Sequence, residues 1–392
     1  MSRTLTRTVW ILSLISLFTD LASEMLYPVM PIYLREIGFT VVMIGILEGL
    51  AEALAGLSKG YFGQLSDQTG RRMPFVRMGY LLSAVSKPLM ATFTFPVWIF
   101  LVRCIDRLGK GVRTGARDAV LSDESTVATK GQVFGFHRAM DTLGAVGGPL
   151  IALLFLAIYP GNYTLLFLIA FIPGMLAVSF TLMIREKKKD IKKQTIPIRF
   201  LTFLRYWKES PVAYRKLTIG LLCFALVNSS DVFLLLKAKE SGMNDTIVIG
   251  LYIFYNLVYA ALAYPAGLLA DKLGLKKVLV GGLFIFALVY AGMSQTTEAL
   301  GFAVLFFIYG AYAACTEGVS KAWISNAIPG NQTATAIGTY TAFQSIAGLL
   351  SSSLAGLIWY FWGAPVLFFG TGIAALLIAF YFIFSIKYAI NQ

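Results

Sequence analysis

The chain has 392 residues, of which 57% are hydrophobic and 14% charged, with a mean hydropathy of +0.73. That apolar content exceeds what a soluble fold of this size buries, so lipid is the expected solvent and a soluble enzyme is excluded as the main reading. The net charge of +13 admits nucleic acid or a membrane surface as partner, and the placement of the cations decides between them.

A membrane span takes about 20 apolar residues. Apolar runs broken by Gly, Pro and charges predict twelve, over 8–33, 41–66, 74–95, 97–121, 133–157, 162–184, 216–238, 247–270, 276–293, 297–321, 333–359 and 364–387. Arg3 and Arg7 precede the first, which carries acids and no small-residue cleavage site, so it reads as an uncleaved span. Residues 1–184 are then an N-terminal six-helix bundle, 185–215 a basic linker and 216–392 a C-terminal six-helix bundle. In the linker Phe200, Phe203, Leu204 and Trp207 fall at helical spacing, which predicts a short amphipathic helix on the membrane face or, alternatively, a solvated tether. Cys104, Cys223 and Cys315 read as small buried hydrophobes, without metal spacing or a disulfide framework.

With the N-terminus inside, the inner loops hold Arg71, Arg72, Lys130, the 185–215 cluster, Lys272, Lys276 and Lys277. The outer segments hold only Arg35, Lys237 and Lys239 as cations. This asymmetry predicts a multi-pass protein of the cytoplasmic membrane with both termini cytoplasmic, its basic loops facing anionic lipid and no nucleic acid as partner.

Ionisable residues at membrane depth mark candidate sites. In span one Asp20 and Glu24 share a helical face, as do Glu48 and Glu52 in span two. Span three has Lys87, and span five has His137, Arg138 and Asp141. Span four is densest, with Arg103, Asp106, Arg107, Lys110, Arg113, Arg117 and Asp118. These project into an arc of roughly 140°. Arg113, Arg117 and Asp118 are expected to reach interfacial water. Arg103 offers either a fork for a substrate anion or an ion pair with Asp20, Glu24 or Asp141. The candidate proton carriers are Glu24 first and Asp20 second, then the pair Glu48 and Glu52, and His137 one turn from Asp141. Each of these also has a purely structural reading as a fixed ion pair or a hydrogen-bonded histidine.

The C-terminal half is poorer in charge, with Asp231 in span seven and Glu317 four residues before Lys321 in span ten. It offers aromatics instead: Tyr252, Tyr255, Tyr259, Tyr309, Tyr312 and Tyr340, with Asn228 and Gln344 as polar companions. A charged wall (Arg103, Asp106, Arg107, Lys110, Arg138) and an aromatic wall suit an amphipathic organic solute, though packing alone accounts for many of the rings.

Residues 63–72 read Gly-Gln-Leu-Ser-Asp-Gln-Thr-Gly-Arg-Arg, and 267–277 read Gly-Leu-Leu-Ala-Asp-Lys-Leu-Gly-Leu-Lys-Lys. Gly63 and Gly267, Asp67 and Asp271, and Gly70 and Gly274 each repeat at an offset of 204. Asp67 is positioned to cap helix amides or to pair with an arginine of a neighbouring helix, latching one conformation. This loop, found twice, resembles the signature loop of the major facilitator superfamily. Gly144-x-x-x-Gly148-Pro149 resembles that family's antiporter motif, although Leu150 and Ile151 stand where a Gly-Gly continuation is usual. Tyr27-Pro28-Val29-Met30-Pro31 is similar to the Pro-x-x-Pro element of twelve-span drug/proton antiporters. Ser23-Glu24-Met25, Gly109-Lys-Gly-x-Arg113-Thr with Arg117-Asp118-Ala119, and Phe136-His137-Arg138 with Asp141 resemble a narrower bacterial branch.

The resemblance implies an all-α membrane protein of twelve transmembrane helices in two pseudo-symmetric six-helix bundles. It implies a secondary transporter that moves a small organic solute by alternating access to a midplane site, working as a monomer with protons as partners. Proton-coupled export is the first expectation. Uptake of an organic anion through the arginines of span four is the second. An intramembrane enzyme is a remote third, since no metal cluster or nucleophile set is visible, and no cofactor is expected.

Overall fold

The computed structural model describes residues 5–27, 29–185 and 203–385, so Pro28 and Phe200 lie outside the described residues, as does the side chain of Glu48. Among the described residues every regular element is helical. Span one comprises α1 (Arg7–Glu24) and α2 (Met30–Glu36), and spans two to six are α3 (Val41–Thr69), α4 (Met73–Met90), α5 (Pro96–Asp123), α6 (Lys130–Ile158) and α7 (Tyr163–Leu182). A linker helix α8 (Phe203–Glu209) follows. Span seven comprises α9 (Val212–Val227) and α10 (Val232–Glu240), and then come α11 (Asp245–Leu273), α12 (Leu275–Met293), α13 (Ala299–Asn326) and α14 (Thr333–Ser385).

Local chemistry sets the ends. The side chains of Thr6, Thr40, Asn162 and Asn244 accept from the third amide onward and start α1, α3, α7 and α11. Proline in the first turn opens α4 and α5, where its missing N–H is not needed. Gly70, at φ +65, ends α3 in the left-handed region, where a side chain would be strained.

Two spans expected to be continuous are broken. Span one stops at Glu24 and restarts at Met30, because Pro31 supplies no amide to carry the helix across. Span seven stops at Val227 and restarts at Val232; there the Ser229 amide turns back to the Val227 carbonyl (3.1 Å) and the Ser230 amide donates to Ser352 Oγ (3.2 Å). Spans eleven and twelve run as one helical stretch that turns at Gly363 (φ +83), two residues before Pro365.

Among the described residues seven helical stretches are long and apolar enough to cross a membrane, and Gly330–Ser385 is long enough to cross twice. The spans outside that set are α1 with α2, α3, α4 and α5, and α5 is the most heavily charged of all. Leu154, Ile158, Leu182, Leu288, Leu300 and Leu377 present exposed apolar side chains of the kind that lipid covers. Cys104 and Cys315 are half-buried, but Cys223 is exposed, correcting the expectation that all three lie inside; an apolar helix face turned to lipid accepts a thiol as readily as a core does.

Packing groups the chain into two compact units. One comprises Met1–Ser125, Met140–Glu209 and Pro329–Ala342; the other Thr126–Ala139, Ser210–Ile328 and Phe343–Gln392. In the first unit α8 buries Phe203 and Tyr206, and the Phe203 ring lies where a Cβ on Gly60 of α3 would stand. Leu204, expected on the same apolar face, is 38% exposed.

Candidate functional site

In the first unit the small residues of α6 decide which charges meet. A Cβ at Gly144 would overlap the Leu17 carbonyl, and one at Gly148 would stand 2.6 Å from the Met25 amide and 2.8 Å from the Leu21 carbonyl. The backbone of α6 therefore lies directly on the stretch of α1 that carries Asp20 and Glu24. This contact brings Asp141, one turn before Gly144, to the Asp20 side of α1, so that the two carboxyls lie close enough to interact. Ser16 Oγ donates to Asp141 Oδ1, and Arg117 Nη1 donates to Ser16 Oγ (3.4 Å). Glu24 is the last residue of α1, at the helix break, with Lys110 and Arg107 among the cations whose charge acts on it.

Helix α5 meets α4 through glycines. A Cβ at Gly79 would stand 2.6 Å from both Arg113 Cβ and the Gly109 carbonyl. This approach seals the charged residues inside protein. Lys87 Nζ donates to Asp106 Oδ1 (2.8 Å), Arg103 Nη1 lies 3.7 Å from Asp106 Oδ2, and Ser86 Oγ donates to Asp106 Oδ1 (3.3 Å). Arg103 thus pairs with Asp106 on its own helix, three residues along. Arg107 Nε lies 3.9 Å from Glu52 Oε2, while Lys110 is exposed.

Arg113, Arg117 and Asp118 were expected to reach interfacial water, and this is corrected: all three are buried. Arg113 donates to Ser83 Oγ (2.6 Å) and sits 4.7 Å over the Tyr80 ring, and Arg117 holds Asp118 Oδ1 through Nε and Nη2, both at 2.9 Å. Charges removed from water persist because partners and hydrogen bonds replace hydration.

The duplicated loops are built alike. Asp67 accepts from the amide (2.6 Å) and hydroxyl (2.7 Å) of Thr335 and from the Ala334 amide (3.4 Å), capping α14. It also takes Arg72 Nη1 at 2.8 Å, while Arg72 reaches Asp123 Oδ2 (3.2 Å) and the Gly330 carbonyl (3.3 Å). Arg71 is exposed. Gly63 abuts the Ala334 carbonyl so closely that a Cβ would overlap it. In the second unit Asp271 accepts from the amides of Gly131 and Gln132, both at 2.7 Å, capping α6, and Gly267 abuts the Gly131 carbonyl. Gly274 takes φ +99 between α11 and α12.

Elsewhere in the second unit, Asp231 at the break of span seven accepts from Tyr255 Oη and Tyr309 Oη, each at 2.6 Å, and Asn228 Nδ2 donates to Tyr312 Oη (3.1 Å). Arg138 Nε donates to Tyr259 Oη, and its Nη2 lies 4.0 Å from Glu317 Oε2. His137 is buried and Gln344 half-buried; Tyr340, which belongs to the first unit, is buried there. Ser16, Ser83, Ser86 and Tyr80, which orient the charged groups, carried no sequence signal beyond being small or polar on a span. Among the described residues no group of three or more His, Cys, Asp or Glu could hold a metal ion.

A family model for the Major Facilitator Superfamily matches residues 12–255 and 234–389. An MFS-type transporter of Methanocaldococcus jannaschii is 31% identical over 363 residues, covering 91% of this chain and 89% of that one. The multidrug resistance protein MdtG of a Rahnella species is 22% identical over 374 residues, 93% of this chain and 89% of that protein. Among solved structures, the human organic anion transporter MFSD10 superposes with a TM-score of 0.82 at 17% identity, over 97% of this chain and 100% of that chain, a likeness of fold.

Proposed function

The chain belongs to the Major Facilitator Superfamily and is a multi-pass membrane transporter of small molecules, and we propose that it is a proton-coupled exporter of an amphipathic organic solute in the cytoplasmic membrane, with both termini inside. The observation that carries this reading is the facing pair Asp20 and Asp141. Two carboxyls brought face to face at membrane depth suit a pair that carries a single proton between them. Both sit where α1 and α6 touch through Gly144 and Gly148, so relative movement of those helices changes the distance between the carboxyls and with it their hold on that proton. Glu24, four residues along at the end of α1 and within range of Lys110 and Arg107, is the second proton acceptor of the set. Export follows from the antiporter-like glycines and from similarity to a protein named for multidrug resistance.

A thermal-shift screen of organic solutes on the purified protein identifies a ligand, and its flux in proteoliposomes is then driven by an imposed pH gradient. Asp141→Asn and Asp20→Asn should each abolish gradient-driven flux while leaving solute exchange at equal pH. Gradient-driven flux that persists in both variants removes the pair as the proton carrier.

A second reading is uptake of an organic anion, favoured by the exposure of Lys110 beside Arg107 and by the fold likeness to a transporter named for organic anions. Arg103 is a weaker contributor to it, being held by Asp106. Lys110→Ala with undiminished affinity for an anionic ligand counts against this reading.

A further inference from the structure

Asp231 is a carboxylate at membrane depth without an ion-pair partner among the described residues. Both of its oxygens accept from tyrosine hydroxyls, Tyr255 on Oδ2 and Tyr309 on Oδ1. These bonds orient the carboxylate but bring no positive charge. Arg138, a cation whose charge acts on it, is itself beside Glu317. An uncompensated carboxylate in a bilayer is expensive, so a compensating cation is expected when the site is charged.

Two neutral oxygens of the same break are short of partners: Asn228 Oδ1 and Ser229 Oγ are buried and make no hydrogen bond. Ser229 is 5% exposed, with Tyr290 beside it. Buried polar atoms left unpaired in a well-built fold call for an explanation such as an ion or water. The backbone adds to this. The amides of Ser229 and Ser230 turn to the Val227 carbonyl and to Ser352 Oγ. The carbonyls of Ala225 and Leu226 therefore lose the amides that a continuing helix would have offered them. The C-terminal end of α9, negative by its dipole, thus faces the break. Glu24 plus the repeat offset of 204 is position 228, so the break of span seven corresponds to the break of span one. Paired interruptions at corresponding positions are where transporters of several folds hold coupling ions.

We propose that the break in span seven binds one small monovalent inorganic cation of the size of sodium, through the Asp231 carboxylate and the oxygens of Asn228 and Ser229. All-oxygen donors select a hard cation. A single carboxylate balances one charge, and a divalent ion would leave a net positive charge in the bilayer. The burial of Ser229 selects a bare ion over an alkylammonium group. The residues of the site all belong to the second compact unit, whereas Asp20 and Asp141 belong to the first, so this proposal does not depend on the proposed proton pair.

The test is binding of radioactive sodium to the purified full-length protein in detergent, with choline chloride holding ionic strength constant. The expected result is saturable binding of one ion per chain and a melting temperature that rises with sodium along the same curve. Asp231→Asn should abolish both. Ser229→Ala, a conservative change that keeps the carboxylate, should weaken apparent sodium affinity about tenfold, which is about 1.4 kcal/mol. Absence of binding above the choline background in the wild-type protein overturns the proposal. So does wild-type affinity in Ser229→Ala, together with a folded Asp231→Asn that still binds. Equal competition by potassium overturns the assignment to a small ion. A melting temperature that rises on acidification in choline, with no further gain from sodium, makes Asp231 a proton site instead.

Discussion

The loops at Asp67 and Asp271 are copies in sequence, yet one is an ionic latch and the other only a cap. Both aspartates close the start of a helix, α14 for Asp67 and α6 for Asp271, and both follow a glycine that lets two backbones touch. What differs is the arginine. Arg72 ties Asp67 to Asp123 and to the Gly330 carbonyl, while Lys276 at the corresponding position reaches the Ile383 carbonyl (3.0 Å). A duplicated motif thus preserves the geometry of helix contact while its electrostatics diverge. Only one copy keeps a buried charge that depends on its partner.

The largest expected effect is on that copy. Asp67→Ala strips Arg72, 6% exposed, of its nearest carboxylate and α14 of its cap. Removing one member of a buried pair costs about 3–5 kcal/mol. Equilibrium unfolding in mild detergent measures it, and a loss below about 1 kcal/mol would mean that Arg72 finds water. Next come Gly63→Val and Gly267→Val, which should cost about 1–3 kcal/mol each through overpacking. Their near equality matters, because the steric half of the two latches is the part held in common. A large difference between them, read by the same unfolding experiment, would make the likeness of the copies superficial. Asp271→Ala, losing a cap but no ion pair, should cost about 1 kcal/mol, several-fold less than its counterpart.

These latches were the most legible part of the sequence, because a glycine and an aspartate repeated at a fixed offset are local facts. The number of spans was legible for the same reason, and Pro31 gives the break in span one a local cause. The break in span seven was not: Ser229, Ser230 and Asp231 carry no breaker as strong as proline, and the diverted amide of Ser230 depends on Ser352, far along the chain. The meeting of Asp20 with Asp141 was hidden too. The sequence shows which face of α1 is acidic, but the facing residue depends on how α6 settles through Gly144 and Gly148. The arginines of α5 teach the same point. Their stripe was readable, yet burial of Arg113 and Arg117 required knowing that Gly79 and Gly109 bring α4 and α5 into backbone contact.

The smallest expected effect separates two adjacent arginines of one motif. Arg71 and Arg72 look equivalent in the sequence, and both follow the turn at Gly70. The left-handed φ of that glycine ends α3 and sends the chain into α4 with Arg72 at its N-cap position, turned inward to Asp67 and Asp123. Arg71 is left exposed one residue earlier. An exposed charge in water gains little from any neighbour, so Arg71→Ala should change stability by less than about 0.5 kcal/mol. Its contribution lies in the loop charge that orients the chain, which unfolding does not read. If Arg71→Ala destabilises as strongly as Asp67→Ala, the latch extends beyond the single inward arginine, and the contrast with the Asp271 copy rests on both cations rather than on Arg72.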